Sequence, residues 1–277
     1  MTESNNFNNN TVYTTSFTSW QKSVPPLLEA AELIDQIGVV KKIIIKPNLV
    51  EPQKPPITTP VELVGAVVAY IQAARPDLEI IIAEGCGSAS NNTWQIFERL
   101  GYNHLADLPR VTLLDLNEAP LVHLRNKTSQ RWPEMHLPKI VFDSFLISVP
   151  VLKAHSLAGV TLTMKNMMGL APPAHYQQGG NWKKASFHQG IQEAIYDLNC
   201  YRTPDFTLLD ATIGMQEAHL WGPTCDPRPN RLAAGYDPVA IDSYGCSLLG
   251  RKWDTIGHLV KAHLSLGTAE PVTLREV

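Results

Sequence analysis

The spacing of apolar and polar positions changes period several times along the chain, and the changes mark out its elements. Residues 41–46 contain the β-branched run Ile43-Ile44-Ile45 closed by Pro47, which reads as a buried strand. A Pro-rich stretch leads into Thr59-Pro60-Val61-Glu62. This order puts Thr59 at an N-cap, Pro60 at the first helical position and Glu62 at the capping-box return. Leu63, Val64, Val67, Val68 and Ile71 then fall on one helical face. Residues 79–83 predict a second strand, ending in Glu84-Gly85-Cys86-Gly87-Ser88, and residues 93–100 a helix closed by Gly101. Further strands are predicted over 111–116, 145–152 and 206–209, the last ending at Asp210. Between the last two, Val160, Met164, Met167 and Met168 fall at helical spacing, a stripe that suits core packing. Ser186-x-x-Gln189 suits the cap of a helix burying Ile191, Ile195 and Leu198, and Asp237-Pro238 opens another. Residues 117–138 mix the two periods and suit a hairpin or an excursion; residues 215–223 suit a covering loop.

Strand and helix patterns in alternation predict an α/β fold, with a mainly parallel sheet covered by helices on both faces. Residues 16–277 are expected to form one such domain or two lobes. The Asn-rich start, taken as residues 1–15, is expected to be a flexible tail; it has no apolar segment of a signal peptide.

Composition narrows the function classes. Of 277 residues, 44% are hydrophobic and 18% charged, enough to bury a core without extensive disorder. A net charge of -3 with scattered Lys and Arg gives no electrostatic case for nucleic acid. No apolar run approaches the ~20 residues that cross a bilayer, so no membrane partner is expected and a cytoplasmic location is the default. Cys86, Cys200, Cys225 and Cys246 form no Cys-x-x-Cys pair, so no local zinc or iron–sulfur motif exists.

In open parallel sheets ligands gather beyond the carboxyl ends of the strands, so those ends are where chemistry is sought. They carry Lys46-Pro47-Asn48, then Glu84 with the small-residue turn Gly85, Cys86, Gly87 and Ser88, then Lys153 and His155, then Asp210. The turn suits an anion held by backbone N–H groups; Cys86 is a filler or, if its thiol acidity were raised, a reactive group. Lys153 and His155, two apart, share one side of a continuing strand, a cation beside an imidazole. Lys165 and Asn166 lie off the methionine stripe, and a lysine in so apolar a stretch needs a partner or a lowered pKa. His155, His175 and His188 offer a three-histidine metal site without any short spacing behind it.

Lys46-Pro47-Asn48, Lys153-x-His155, Thr161-x-x-x-Lys165-Asn166-x-x-Gly169, His188, Asp210-Ala211, Gly222-Pro223 and Asp237-Pro238-x-Ala240-x-Asp242 resemble the uncharacterised family called domain of unknown function 362. Members are often joined to a ferredoxin-type module, which this chain lacks. A fainter resemblance is to the N-terminal domain of nickel-dependent lactate racemase-like proteins. It rests on Pro55-Pro56-Ile57-Thr58-Thr59-Pro60, Ala83-Glu84-Gly85-Cys86-Gly87, and His155-Ser156-Leu157-Ala158-Gly159 followed by Lys165. That likeness implies a nickel-pincer nucleotide tethered to Lys165, with His155 at the metal. The chain departs where the racemases have Ser-Gly-Gly before the lysine, having Leu162-Thr163-Met164, and where they place a histidine after the glycine turn, having Gly87-Ser88.

The residues together imply an enzyme acting on a small anionic metabolite, a carboxylate or a phosphate. Lys46, Lys153 and the turn at Gly85 to Ser88 would hold the anion, with Asn48, Glu84, His188 and Asp210 around it. His155 would move a proton; Lys165 would be nucleophile, cofactor tether or electrostatic stabiliser; Asn166 would supply hydrogen bonds. The alternatives are a metal or iron–sulfur-associated redox accessory protein, and a non-catalytic ligand-binding protein.

Overall fold

A computed structural model describes residues 10–277. Thr11–Ser16 (β1) leads through helices Trp20–Ala30 (α1) and Leu33–Ile37 (α2) to Lys42–Pro47 (β2). Then come Val61–Ala74 (α3), Glu79–Glu84 (β3), Thr93–Arg99 (α4), Val111–Asp115 (β4), and the strands Leu121–Arg125 (β5) and Glu134–Pro138 (β6). Phe145–Val149 (β7), Val151–His155 (β8) and Gly159–Thr161 (β9) precede the one-turn helices Thr163–Asn166 (α5) and Pro173–Tyr176 (α6). Ile191–Tyr201 (α7), Phe206–Met215 (β10), Arg231–Gly235 (β11), Pro238–Leu248 (α8), Gly257–Ala262 (α9) and Thr273–Glu276 (β12) complete the order.

Ten strands form one sheet in the order β12-β1-β11-β10-β7-β2-β3-β4, with β8 extending β7 alongside β10 and β9 pairing β8. The run β10-β7-β2-β3-β4 is wholly parallel, while β11 is antiparallel to both its neighbours. From β2 the chain moves outward to β3 and β4, then returns to β7 on the other side of β2. That reversal opens a crevice beyond the carboxyl ends of β2 and β7.

Alternation along the strands explains why both faces are covered. Ile43, Ile45, Ile80, Ile82, Ile147 and Val149 face a core completed by α1, α2, α3 and α4. Ile44, Ile81, Leu146 and Leu209 face the opposite core, completed by α5, α7, α8, α9 and β6. Each fully buried side chain of this size contributes about 1.5–3 kcal/mol. The α/β class with a large, mostly parallel sheet is thus as expected from the strand spacing.

Several local expectations are corrected. Residues 11–15 belong to β1, paired to β11 and β12, and are not tail; residues 1–9 lie outside the described residues. Thr59 does not cap α3, whose N-cap is Pro60. Instead Thr59 Oγ1 accepts from Asn48 N (2.8 Å) and donates to the Val149 carbonyl (2.7 Å), tying the ends of β2 and β7 together. The methionine stripe is not one helix: Val160 lies in β9, and helix begins only at Thr163. The Ser186 cap is also displaced, α7 starting after Gly190. Asp237 caps α8 as expected, accepting from Val239 and Ala240 N–H groups. Residues 117–138 do contain a hairpin, β5 with β6.

Ile44 is fully buried at the centre of the sheet. Ile44→Ala is expected to lower stability by about 2–5 kcal/mol, read as a shift of the urea midpoint with unchanged slope.

Candidate functional site

The crevice holds a cavity of about 490 Å³, a size suited to a small metabolite. Its floor is a hydrogen-bonded network built from strand ends. Lys46 Nζ, fully buried, donates to Glu84 Oε1 (2.8 Å), Asn166 Oδ1 (3.2 Å) and the Pro47 carbonyl (3.2 Å). Glu84 also accepts from Gly85 N (2.8 Å) and Leu49 N (3.0 Å). Burial lowers the Lys46 pKa and Glu84 works against that shift. Asn166 spends its amide wholly on the protein: Oδ1 accepts from Lys46 and Asn48, and Nδ2 donates to Ser148 Oγ (3.0 Å) and the Lys46 carbonyl (3.3 Å).

Gly169 presses on this network. A Cβ there would collide with Glu84 Oε1 and come within 2.6 Å of Lys46 Nζ, so only glycine fits. Gly85 is equally confined, by the Gly169 carbonyl and Asn117 Oδ1. The spacing Lys165-Asn166-x-x-Gly169 is therefore one residue facing the cavity, one sealing its floor and one making room for the ion pair.

Three lysines line the cavity. Lys153, at the end of β8, donates to Asn48 Oδ1 and the Ile57 carbonyl, both 2.7 Å, and its pKa falls well below the usual range through burial and the nearby Lys165. Lys184 donates to Asn117 Oδ1 and the Ala171 carbonyl, and burial lowers its pKa to about 7. The Lys165 amine makes no hydrogen bond among the described residues, and desolvation lowers its pKa to about 8. None of the three forms an ion pair among the described residues; of the two lining carboxylates, Glu84 is tied to Lys46 and Glu51 meets Asn91 (3.4 Å).

Lys165 is positioned from a distance. The Asp242 carboxylate, wholly buried on α8, accepts from Thr163 N (2.7 Å) and Met164 N (3.0 Å), the amino end of α5. Burial raises the Asp242 pKa to about 8 against those two bonds. Asp237 secures α8 and also accepts from Thr268 N (2.7 Å), with Gly267 packed too close for any side chain.

Imidazoles form another wall. His155 Nδ1 accepts from Leu157 N and Ala158 N, both 3.1 Å. Burial, Lys165, His219 and the neighbouring cations hold the ring neutral, so its proton sits on Nε2, the edge left for a ligand. His219 stacks on His155 with centroids 4.0 Å apart, and burial lowers its pKa to about 3. His188 lies 6.3 Å from His155, its Nδ1 3.1 Å from both Trp182 Nε1 and the Lys184 carbonyl. Trp182, Trp221 and Leu157 stand exposed at the mouth.

The structure therefore brings His155, Lys153, Lys165, Asn166, Asn48, Glu84, Gly85, Gly87 and His188 to one cavity. It separates Lys46, sealed beneath the floor, and Asp210, whose Oδ1 is taken by Thr212 N (2.9 Å) and Oγ1 (2.7 Å). Ser88 also stands apart, its Oγ accepting from Asn91 N (3.0 Å). Two N–H groups of the turn are spent within the protein, Gly85 N on Glu84 and Cys86 N on Thr93 Oγ1 (3.2 Å), while α4 begins later and is capped by Asn92. Cys86 is buried, its thiol pKa raised by desolvation, which opposes reactivity. Lys184 and His219 escaped the sequence reading. The pair Lys183-Lys184 in a long stretch otherwise without charge was the available signal for the first.

Donors for a metal do not assemble. His175 stacks on His136 (4.0 Å), itself stacked on His123 (4.5 Å), away from the cavity. Among the described residues no three His, Cys, Asp or Glu side chains converge on a metal-sized position. His155 directs an N–H, not a lone pair, at the ligand side, the reverse of a metal-bound histidine. The nickel nucleotide implied by the racemase likeness thus does not fit these donors.

The chain is thus a mainly parallel α/β sheet with a lysine- and histidine-lined cavity at its switch point, the place where open sheets of this class bind ligands. The family model described as domain of unknown function (DUF362) matches residues 43–247, and the chain belongs to that family. It is 28% identical over 216 residues to a thylakoid-associated protein of Synechocystis, covering 73% of this chain and 60% of that protein. That name gives no support to the expected cytoplasmic location; no helix among the described residues is long and apolar enough to cross a membrane. The fold is similar to the lactate racemase apoprotein from Thermoanaerobacterium thermosaccharolyticum, with TM-score 0.51 and 12% identity over 85% of this chain and 56% of that one. The chain thus spans little more than half the length of these proteins.

Asp242→Asn replaces one carboxylate oxygen with an amide that cannot accept from α5. It is expected to cost about 1–3 kcal/mol in urea unfolding. Gly169→Ala is expected to unseat the Lys46–Glu84 pair and lower stability by at least as much as Asp242→Asn in the same assay, whereas Gly250→Ala, where nothing stands in the way of a Cβ but φ is +66°, costs only the local backbone strain of about 1–2 kcal/mol.

Proposed function

We propose that this chain binds a small carboxylate or phosphate in the cavity and acts on it as an enzyme. The observation that carries this reading is the set Lys153, Lys165 and Lys184, three amines on one cavity without an ionic partner among the described residues. Uncompensated burial disfavours their charged forms, and an entering anion supplies the missing counter-charge. Two further polar atoms on the wall, Thr161 Oγ1 and His219 Nδ1, are buried without a hydrogen-bond partner among the described residues, which a ligand would supply.

In this reading Lys153, oriented by Asn48, and Lys184, oriented by Asn117, hold the anion. His155 acts as a neutral donor through Nε2, polarising an oxygen of the ligand in the manner of a hydrogen-bonding electrophile. It does not serve as a base, because its Nδ1 is engaged by backbone N–H groups. Lys165 is the group placed to react. Asn166, expected to supply hydrogen bonds to the reaction, in this reading keeps the floor rigid.

The proposal predicts proton uptake on binding. With Lys184 near 7 and Lys165 near 8 in the empty cavity, an adjacent anion raises both values, and protons enter from solution at pH 8. Titration calorimetry with inorganic phosphate and with oxalate, in two buffers of different ionisation enthalpy, should show saturable binding with uptake. Lys165→Met should reduce that uptake while leaving urea stability within about 0.5 kcal/mol or higher. Absence of saturable binding of either anion would count against the reading.

A further inference from the structure

We propose that Lys165 forms an imine with a carboxylate that also carries an aldehyde or ketone, so that the ligand class is an oxo acid. This rests on the anion reading above and deepens it. The distinguishing observation is hydrogen bonding. Lys46, Lys153, Lys183 and Lys184, the other lysines gathered at these strand ends, each donate to at least two protein acceptors. Lys165 donates to none among the described residues, yet its backbone is held firmly through Asp242. A fixed backbone with a free amine at the end is the arrangement of a nucleophile, whereas a structural cation is tied at its head.

The surroundings agree. No carboxylate among the described residues pairs with Lys165, and its neighbours at the cavity include the neutral rings of His155 and His219 and the amine of Lys153. Burial of the amine favours its uncharged form and lowers its pKa to about 8. His155 presents Nε2–H, a donor suited to a carbonyl oxygen, and Lys153 and Lys184 remain for the carboxylate.

The step balances without oxidant or reductant. The Lys165 nitrogen lone pair bonds to the carbonyl carbon as the C=O π pair moves to oxygen. The two amine protons pass to that oxygen, the C–O bond breaks, and water leaves with the formation of C=N. The acidity of the carbon next to the imine then rises, which opens proton removal or carbon–carbon bond chemistry at that position.

The test uses the full chain, glyoxylate as the probe and cyanoborohydride to fix the imine, followed by peptide mapping. The expected result is saturable modification of Lys165 more than ~10-fold faster than exposed Lys22 and Lys127, rising about tenfold from pH 6 to 7 and levelling above about 8. Lys165→Arg, which keeps the charge, should lose this modification while still binding oxalate. Modification of Lys165 no faster than that of Lys22 overturns the imine. If oxalate nevertheless binds saturably, the anion reading stands and only the imine falls. If neither adduct nor oxalate binding is seen, both fall.

Discussion

The buried ion pair of Lys46 and Glu84 is the constraint on which the site depends. A pair with both members sealed from water is stable only if its remaining hydrogen-bonding capacity is met, since an unmatched buried charge costs several kcal/mol. Here that requirement is met by Asn166, the Pro47 carbonyl, Gly85 N and Leu49 N. Those four partners belong to three segments remote in sequence. Satisfying the pair therefore fixes how the ends of β2 and β3 meet the Lys165-to-Gly169 segment, and so fixes the floor of the cavity.

Above that floor the electrostatics are inverted. Below, charge is balanced and fully bonded. Within the cavity, Lys153 and Lys184 are held by neutral carbonyls and amides alone, and imidazoles are kept uncharged by burial. Neutral acceptors orient an ammonium group without cancelling its charge. The same family of residues, Lys and Asn at strand ends, thus serves two purposes, and the difference is set by whether a carboxylate is within reach.

Much of this was legible in the sequence, for physical reasons. Strands buried on both faces leave continuous apolar runs, and Ile43 to Ile45 and Ile80 to Ile82 announce the parallel centre of the sheet. The strand-end rule then directed attention to Lys153 and His155, and the cost of a lysine in an apolar stretch to Lys165; all three line the cavity. The rule could not tell a residue facing the cavity from one beneath it, so Lys46 was read as an anion-binding group. Strand β12 escaped because all four of its residues are exposed, and Thr59 was misread because a hydroxyl bridging two strands has the same local sequence as a helix cap. Asp242 had an evident motif and no evident purpose. Its partners lie 78 and 79 positions away, a separation no local pattern encodes.

The grip of Asp242 on α5 has a mechanical consequence. Asp242 on α8 secures the two residues before Lys165, and Asn166, the residue after it, is bonded to Lys46, Asn48 and Ser148 at the strand ends. The backbone of Lys165 is thus clamped between the helical layer and the sheet. What freedom the amine keeps is the rotation of its own four-carbon stem, so its reach across the cavity is set by rotamer choice and not by movement of a wall.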